Sequence, residues 1–341
     1  MINTLIVDDS AMARSIIRDF LESDGAFNII GEAVDGEDGI EKILSLNPDL
    51  VTLDIEMPKK NGLQVIETVM KEISVPIVVI SSQDTAKTAY EATVLGALEF
   101  YSKNTFTGTL SPEKQQEIYE TLKRISGVKT QKNKEFTEPF ILSPAKREIR
   151  AVVIASSTGG PKALSAFFSL LPGNFPVPIV VVQHNSSGFD KSFAQWLNTY
   201  TKLNVKIAEE GEIPMAGTVY IAQTDKHLTF SALHQENGHN SFCLSYNDDE
   251  PENNQKPAAD ALFRTAAEIL KGSLVSVVLT GMGNDGAQGT QKVREMGGIT
   301  LAQDEESSLI YGMPKAAAET GCVDIVLPLE KLPDELVKLT E

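Results

Sequence analysis

The sequence predicts two α/β units in tandem, each a mainly parallel sheet covered by helices. Short apolar runs alternate with amphipathic helical stretches along most of the chain. Many of those runs end in a polar or titratable residue, as a sheet does where its strand ends converge on one rim. A polar, proline-bearing stretch divides the chain, and 341 residues suit about two domains with cores of their own.

In the first unit, residues 1–125, the segments 4–7, 28–33, 50–54, 77–81 and 98–102 read as strands. Helical spacing fills 12–22, 37–46, 63–71, 85–95 and 111–125, the last with Ser111 as N-cap and Pro112 in its first turn. Strict alternation of this kind implies a parallel sheet covered on both faces. Residues 126–149 read as an exposed linker, rich in Lys, Gln, Asn and Thr, with Pro139 and Pro144 and an apolar triplet, Phe140-Ile141-Leu142. The second unit, 150–341, carries apolar strands at 151–155, 179–183, 205–208, 218–222, 274–280, 299–303 and 324–327. Helical stretches at 163–170, 193–200, 259–270 and 287–296 separate most of them.

Bulk properties exclude some functions. A net charge of −17 argues against nucleic acid, which demands a basic footprint. No helix-turn-helix pattern is evident. No apolar run approaches the ~20 residues of a membrane span, so membrane insertion is not expected. The N-terminus lacks a basic leader, and Cys243 and Cys322 lack metal-ligand spacing. A cytoplasmic protein is the expectation.

Three acids and a lysine end strands of the first unit: Asp8-Asp9, Asp54 and Lys103. Singly, each has a plainer reading, such as helix capping, turn chemistry or a solvated surface lysine. Together they make a crevice in which carboxylates hold a hard divalent cation such as Mg²⁺ while one of them attacks a phosphoryl group. Ser81, ending its own strand, adds a hydroxyl on the same edge. This set resembles the receiver domain of two-component response regulators. The resemblance implies a flavodoxin-like (βα)5 fold in which Asp54 accepts phosphate from a histidine kinase. Asp9 and Asp54 would ligate Mg²⁺, with the Glu56 carbonyl as a third ligand. Lys103 would pair with the phosphate, Ser81 would swing in to bond it, and Phe100 would be the switching aromatic. Asn104 stands where the family usually has proline.

In the second unit, a strand runs into Ser156-Ser157-Thr158-Gly159-Gly160-Pro161, placed like a nucleophile at a sharp turn before a helix. His184 ends another strand, and Thr280-Gly281-Met282-Gly283-Asn284-Asp285-Gly286 follows a third. A plain tight turn, a phosphate loop and a half-buried histidine are the blander readings. Ser157, His184 and Asp285 would all open on one rim, as a Ser-His-Asp triad requires.

With Gln183-His184, 218–222, 302–305 and 311–314, these motifs resemble the CheB family of chemotaxis protein-glutamate methylesterases over nearly the whole chain. The resemblance implies a doubly wound, Rossmann-like hydrolase domain that demethylates glutamyl methyl esters and deamidates glutamines on chemotaxis receptors. It needs no cofactor for the hydrolysis. Met282 would supply an oxyanion N–H and Thr158 would position His184. Departures fall at Ala155-Ser156, at Asn185-Ser186-Ser187, at Gln223-Thr224-Asp225 and at Lys256-Pro257-Ala258-Ala259-Asp260. They leave one alternative, a receptor-binding regulator that has lost turnover. The tandem arrangement with a short linker suggests that the unphosphorylated receiver covers the hydrolase rim.

Overall fold

The computed structural model describes residues 1–73, 75–81, 86–108, 110–127, 148–185, 188–233 and 241–341. The chain divides into two compact units, Met1–Glu135 and Phe136–Glu341. The expected linker lies almost wholly outside the described residues, as do Ser186, Ser187 and the expected helix start at Thr85.

The first unit runs β1 (Ile2–Val7), α1 (Ala11–Ser23), β2 (Phe27–Ala33), α2 (Gly36–Leu46), β3 (Leu50–Leu53), α3 (Gly62–Glu72), β4 (Ile77–Ser81), α4 (Ala86–Leu95), β5 (Glu99–Ser102), α5 (Lys103–Thr107) and α6 (Pro112–Ser126). Its sheet is parallel in the order β2-β1-β3-β4-β5, the flavodoxin-like order. Side-chain caps set several helix starts: Ser10 for α1, Asp35 for α2, an Asn61/Gln64 capping box for α3 and Ser111 for α6. The short α5 was not expected. Ser102 caps it by accepting the Asn104 N–H at 3.3 Å, a bond that a proline at 104 would lack.

The second unit runs β6 (Ala151–Ser156), α7 (Gly160–Ser169), β7 (Ile179–Gln183), α8 (Asp190–Leu197), β8 (Asn204–Ile207), β9 (Thr218–Ile221), β10 (His227–Leu233), β11 (Ser241–Asn247), α9 (Ala259–Leu270), β12 (Leu274–Val278), α10 (Ala287–Glu295), β13 (Ile299–Gln303), α11 (Met313–Glu319), β14 (Ile325–Leu327) and α12 (Leu332–Thr340). Its main sheet is parallel in the order β14-β13-β12-β6-β7-β9-β8. Strands β6 to β9 fill one half of the sheet, with β8 at the edge and β9 inserted between it and β7, and β12 to β14 run outward through the other half, so the switch point lies between β6 and β12.

The antiparallel hairpin β10–β11 was not anticipated. Leu228, Phe230, Phe242 and Leu244 point from it into one apolar cluster with Leu262, Phe263 and Ala266 of α9. Helices α11 and α12 were also unassigned from sequence. No helix among the described residues is long and apolar enough to cross a membrane.

Candidate functional site

In the first unit, β1, β3 and β5 deliver Asp8, Asp54 and Lys103 to one end of the sheet, beside the β1/β3 switch point. Asp54 is 4% exposed, and its N–H reaches across to the Val7 carbonyl at 2.8 Å. Lys103 Nζ spans the acids, 2.6 Å from Asp54 Oδ2 and 2.9 Å from Asp8 Oδ2. The Ile55 N–H donates to Asp54 Oδ1 at 2.7 Å. Burial pushes the Asp54 carboxyl above its ordinary value, against the pull of the lysine. Burial also works against the Lys103 charge, yet its bonds to Asp54 and Asp8 hold it above the usual lysine value.

Ligand atoms of Asp8, Asp9 and Asp54 lie within 4.8 Å of one another. Three hard oxygen donors at that spacing fit a divalent cation of the Mg²⁺ type. Asp8 therefore joins the expected set, while the Glu56 side chain is exposed. Ser81 is buried at the end of β4. Phe100 is buried too, its ring edge-on to Tyr90 at 4.7 Å.

In the second unit, β6, β7 and β12 are adjacent, and each hands a candidate residue to the C-terminal rim. Ser156 and Gln183 are register partners, so Ser157 and His184, one residue on, leave the sheet side by side. The His184 N–H donates to the Ser156 carbonyl at 3.0 Å. Gln183, 2% exposed, ties the two turns together. Its Nε2 donates to the Ser157 carbonyl at 3.0 Å and the His184 carbonyl at 2.9 Å, and its Oε1 accepts from Ser156 Oγ at 2.7 Å.

His184 Nε2 lies 2.8 Å from Asp285 Oδ2. Asp285 is 2% exposed and sits in a cage of donors: the N–H groups of Ala259 (2.6 Å), Asp260 (3.0 Å) and Gly286 (3.0 Å). Burial opposes its charge, but the His184 bond and the Ala259 and Asp260 N–H groups hold its carboxyl below the ordinary value. An ionised carboxylate only accepts, so the neutral imidazole carries its proton on Nε2. Nδ1 is then a bare lone pair, buried and without a hydrogen-bond partner among the described residues. Ser157 is half-exposed at the neighbouring strand end, and no hydrogen bond joins its hydroxyl to the ring among the described residues. Catalytic hydrogen bonds often close only when substrate is bound.

The loop after β12 abuts the serine. A Cβ on Gly281 would meet Ser157 Cβ at 2.9 Å and would clash with Met313 Sδ. The Gly281 carbonyl accepts from the N–H groups of Gly312 (3.1 Å) and Met313 (2.8 Å). The planar trans peptide therefore turns the Met282 N–H the opposite way. The Thr158 carbonyl accepts the Thr280 hydroxyl at 3.0 Å. A second buried glutamine, Gln303, accepts the Thr280 N–H at 2.8 Å, and the Thr280 carbonyl takes the Ser157 N–H at 3.1 Å.

Residues 4–111 match the family model of the response regulator receiver domain, and residues 152–336 match that of the CheB methylesterase. The fold and these matches define a response regulator whose output domain is an α/β hydrolytic unit. More particularly, the chain belongs to the CheB methylesterase family. It is 39% identical over 356 residues to the protein-glutamate methylesterase/protein-glutamine glutaminase of Pyrococcus abyssi, covering 100% of this chain and 94% of that protein. The protein of the same description from Thermotoga maritima is also 39% identical, over 346 residues, 99% of this chain and 98% of that one. The crystal structure of the Thermotoga maritima CheB methylesterase catalytic domain is similar with a TM-score of 0.53 at 44% identity, covering 57% of this chain and 100% of that one.

Proposed function

We propose that this chain is a phosphorylation-regulated protein-glutamate methylesterase and protein-glutamine deamidase acting on chemotaxis receptors. Its working parts would be a receiver at 1–125, a linker at 126–149 and a catalytic domain at 150–341. The observation that carries the reading is the His184–Asp285 pair, which leaves Nδ1 without a hydrogen-bond partner among the described residues on a turn that Gln183 ties to that of Ser157.

In this mechanism Ser157 Oγ attacks the ester carbonyl carbon while His184 Nδ1 takes its proton. The ring is used in the reverse sense to the chymotrypsin arrangement, where Nε2 faces the serine. Asp285, held by backbone N–H groups, balances the imidazolium without taking its proton. The Met282 N–H faces the developing oxyanion. The imidazolium then protonates the departing methoxide, or the amine when the substrate is a glutamine. Water, deprotonated by the same ring, attacks the acyl carbon and frees the glutamate and Ser157.

In the receiver, Asp54 Oδ would attack the phosphoryl group of a histidine-kinase phosphodonor. Asp8, Asp9, Asp54 and the Glu56 carbonyl would hold Mg²⁺, which supplies charge neutralisation for that transfer. Lys103 would move from its present bonds to the phosphoryl oxygens, and Ser81 and Phe100 would report the change. Replacing Ser157 with Ala should abolish methanol release from methylated receptor membranes, with or without a small-molecule phosphodonor. Undiminished release would sink the assignment.

A further inference from the structure

Behind the His184–Asp285 pair, two helix starts exchange carboxylates. Asp285, just before α10, accepts the N–H groups of Ala259 and Asp260, the first two residues of α9. In return Asp260 Oδ1 accepts the Gly289 N–H, in the first turn of α10, at 2.6 Å. Each helix N-terminus is thus satisfied by an acid belonging to the other. Contact there is close: a Cβ on Gly289 would meet Phe263 Cβ at 2.5 Å and Asp260 Cα at 3.2 Å. One amide spans both acids, with Asn253 Nδ2 2.8 Å from Asp260 Oδ2 and 3.4 Å from Asp285 Oδ1.

We propose that Asp260 is a positioning residue for ester hydrolysis: it fastens the start of α10 to α9, aims Asp285 at His184, and adds negative charge behind the imidazolium. This rests on reading Ser157, His184 and Asp285 as the triad. Asp260 is 1% exposed and bonds to neither Ser157 nor His184, so it acts only through Asp285 and the cage.

The charged and titratable groups facing it are few. Asp285 lies across the helix starts and carries His184 on its far oxygen. Arg264, one turn along α9, pairs with Glu252 at 2.6 Å, and Glu252 in turn feels His227 at the start of β10. Burial and the negative Asp285 raise the Asp260 carboxyl to about 6, against the pull of the Gly289 N–H and the Asn253 amide. It therefore titrates within the span of an ordinary pH–rate profile. Its charge, favourable to the imidazolium, is present above that value and lost below it.

The test uses full-length wild-type protein, Asp260→Asn, Asn253→Ala and Ser157→Ala. Methanol release and fluorophosphonate labelling of Ser157 are followed against pH. Asp260→Asn should lower kcat roughly tenfold with KM little changed, about the loss of one hydrogen bond to a charged group. The acid limb of its profile should also lose one ionisation. Asn253→Ala, at a half-buried loop position, removes a donor from the charged acid and should move the acid limb to higher pH. An Asp260→Asn profile of unchanged shape overturns the proposal, even if the rate and unfolding temperature fall together. Should that variant not fold, an unshifted limb in Asn253→Ala overturns it equally. Retained turnover in Ser157→Ala defeats the triad reading instead, and separates the two failures.

Discussion

Replacing Gln183 with Met keeps nearly the same bulk and removes three hydrogen bonds at the centre of the site. The Ser157 carbonyl keeps a partner, the Gly160 N–H at 2.7 Å. Ser156 Oγ and the His184 carbonyl lose theirs, the first in a buried bond and the second in a part-buried one. The orphaned buried hydroxyl costs about 1–3 kcal/mol, and the carbonyl adds less because water reaches it. For a unit of this size each kcal/mol is worth about 2–4 °C, so the second unit should melt at least about 2 °C lower. Kinetics should suffer more than the fold does. Gln183 sets the spacing of the Ser157 and His184 turns, and a misplacement of about 1 Å between reacting groups can cost ~10²-fold. The loss should fall on kcat, because receptor contacts are untouched. Gln183→Glu should be worse than Met in mildly alkaline buffer, where a carboxylate would face two carbonyl oxygens. Methanol release and calorimetry read both effects. Wild-type turnover together with a wild-type unfolding temperature in Gln183→Met would refute the reasoning.

Two further substitutions probe either unit. Gly281→Ala places a methyl against Ser157 Cβ and Met313 Sδ; overpacking of this kind costs about 1–3 kcal/mol, and serine labelling by fluorophosphonate should slow markedly while the receiver still accepts phosphate. Asp54→Asn removes the acid that Lys103 holds at 2.6 Å; phosphate-affinity gels should show no phosphorylated band, and methanol release should no longer respond to a phosphodonor. A persistent band would place the phosphoacceptor elsewhere.

Most of this architecture was legible because the chemistry sits at strand ends. An apolar run that stops at an acid, a hydroxyl or an imidazole marks both the strand and the rim it feeds. Ser157, His184 and Asp285 could be grouped on that ground alone, since β6, β7 and β12 are parallel neighbours. The hairpin β10–β11 was harder to see. Its alternation Phe242, Leu244, Tyr246 is a fair period-two signal, but Cys243 and the apolar side chains of β10 blur the polar face. The short α5 had almost no periodicity to show, being set by one serine cap.

What supports the site was less legible, for a physical reason. Gln183, Gln303 and Asp260 act largely through backbone groups, and a backbone N–H or carbonyl has no residue identity to read. Asp285 shows this most plainly: three of its donors are main-chain N–H groups, contributed by α9 and its own turn. Any side chains at 259 and 260 compatible with the helix would supply the first two. The acid at 285 is therefore visible in sequence, while its low proton affinity depends on where α9 begins. His227 helps fix that point, because its Nδ1 accepts the Ala258 N–H at 3.1 Å and its Nε2 lies 3.1 Å from the Glu250 carbonyl. Its ring is fully buried and holds the residue that precedes α9. This histidine thus belongs to the scaffold that keeps a carboxylate charged some distance away.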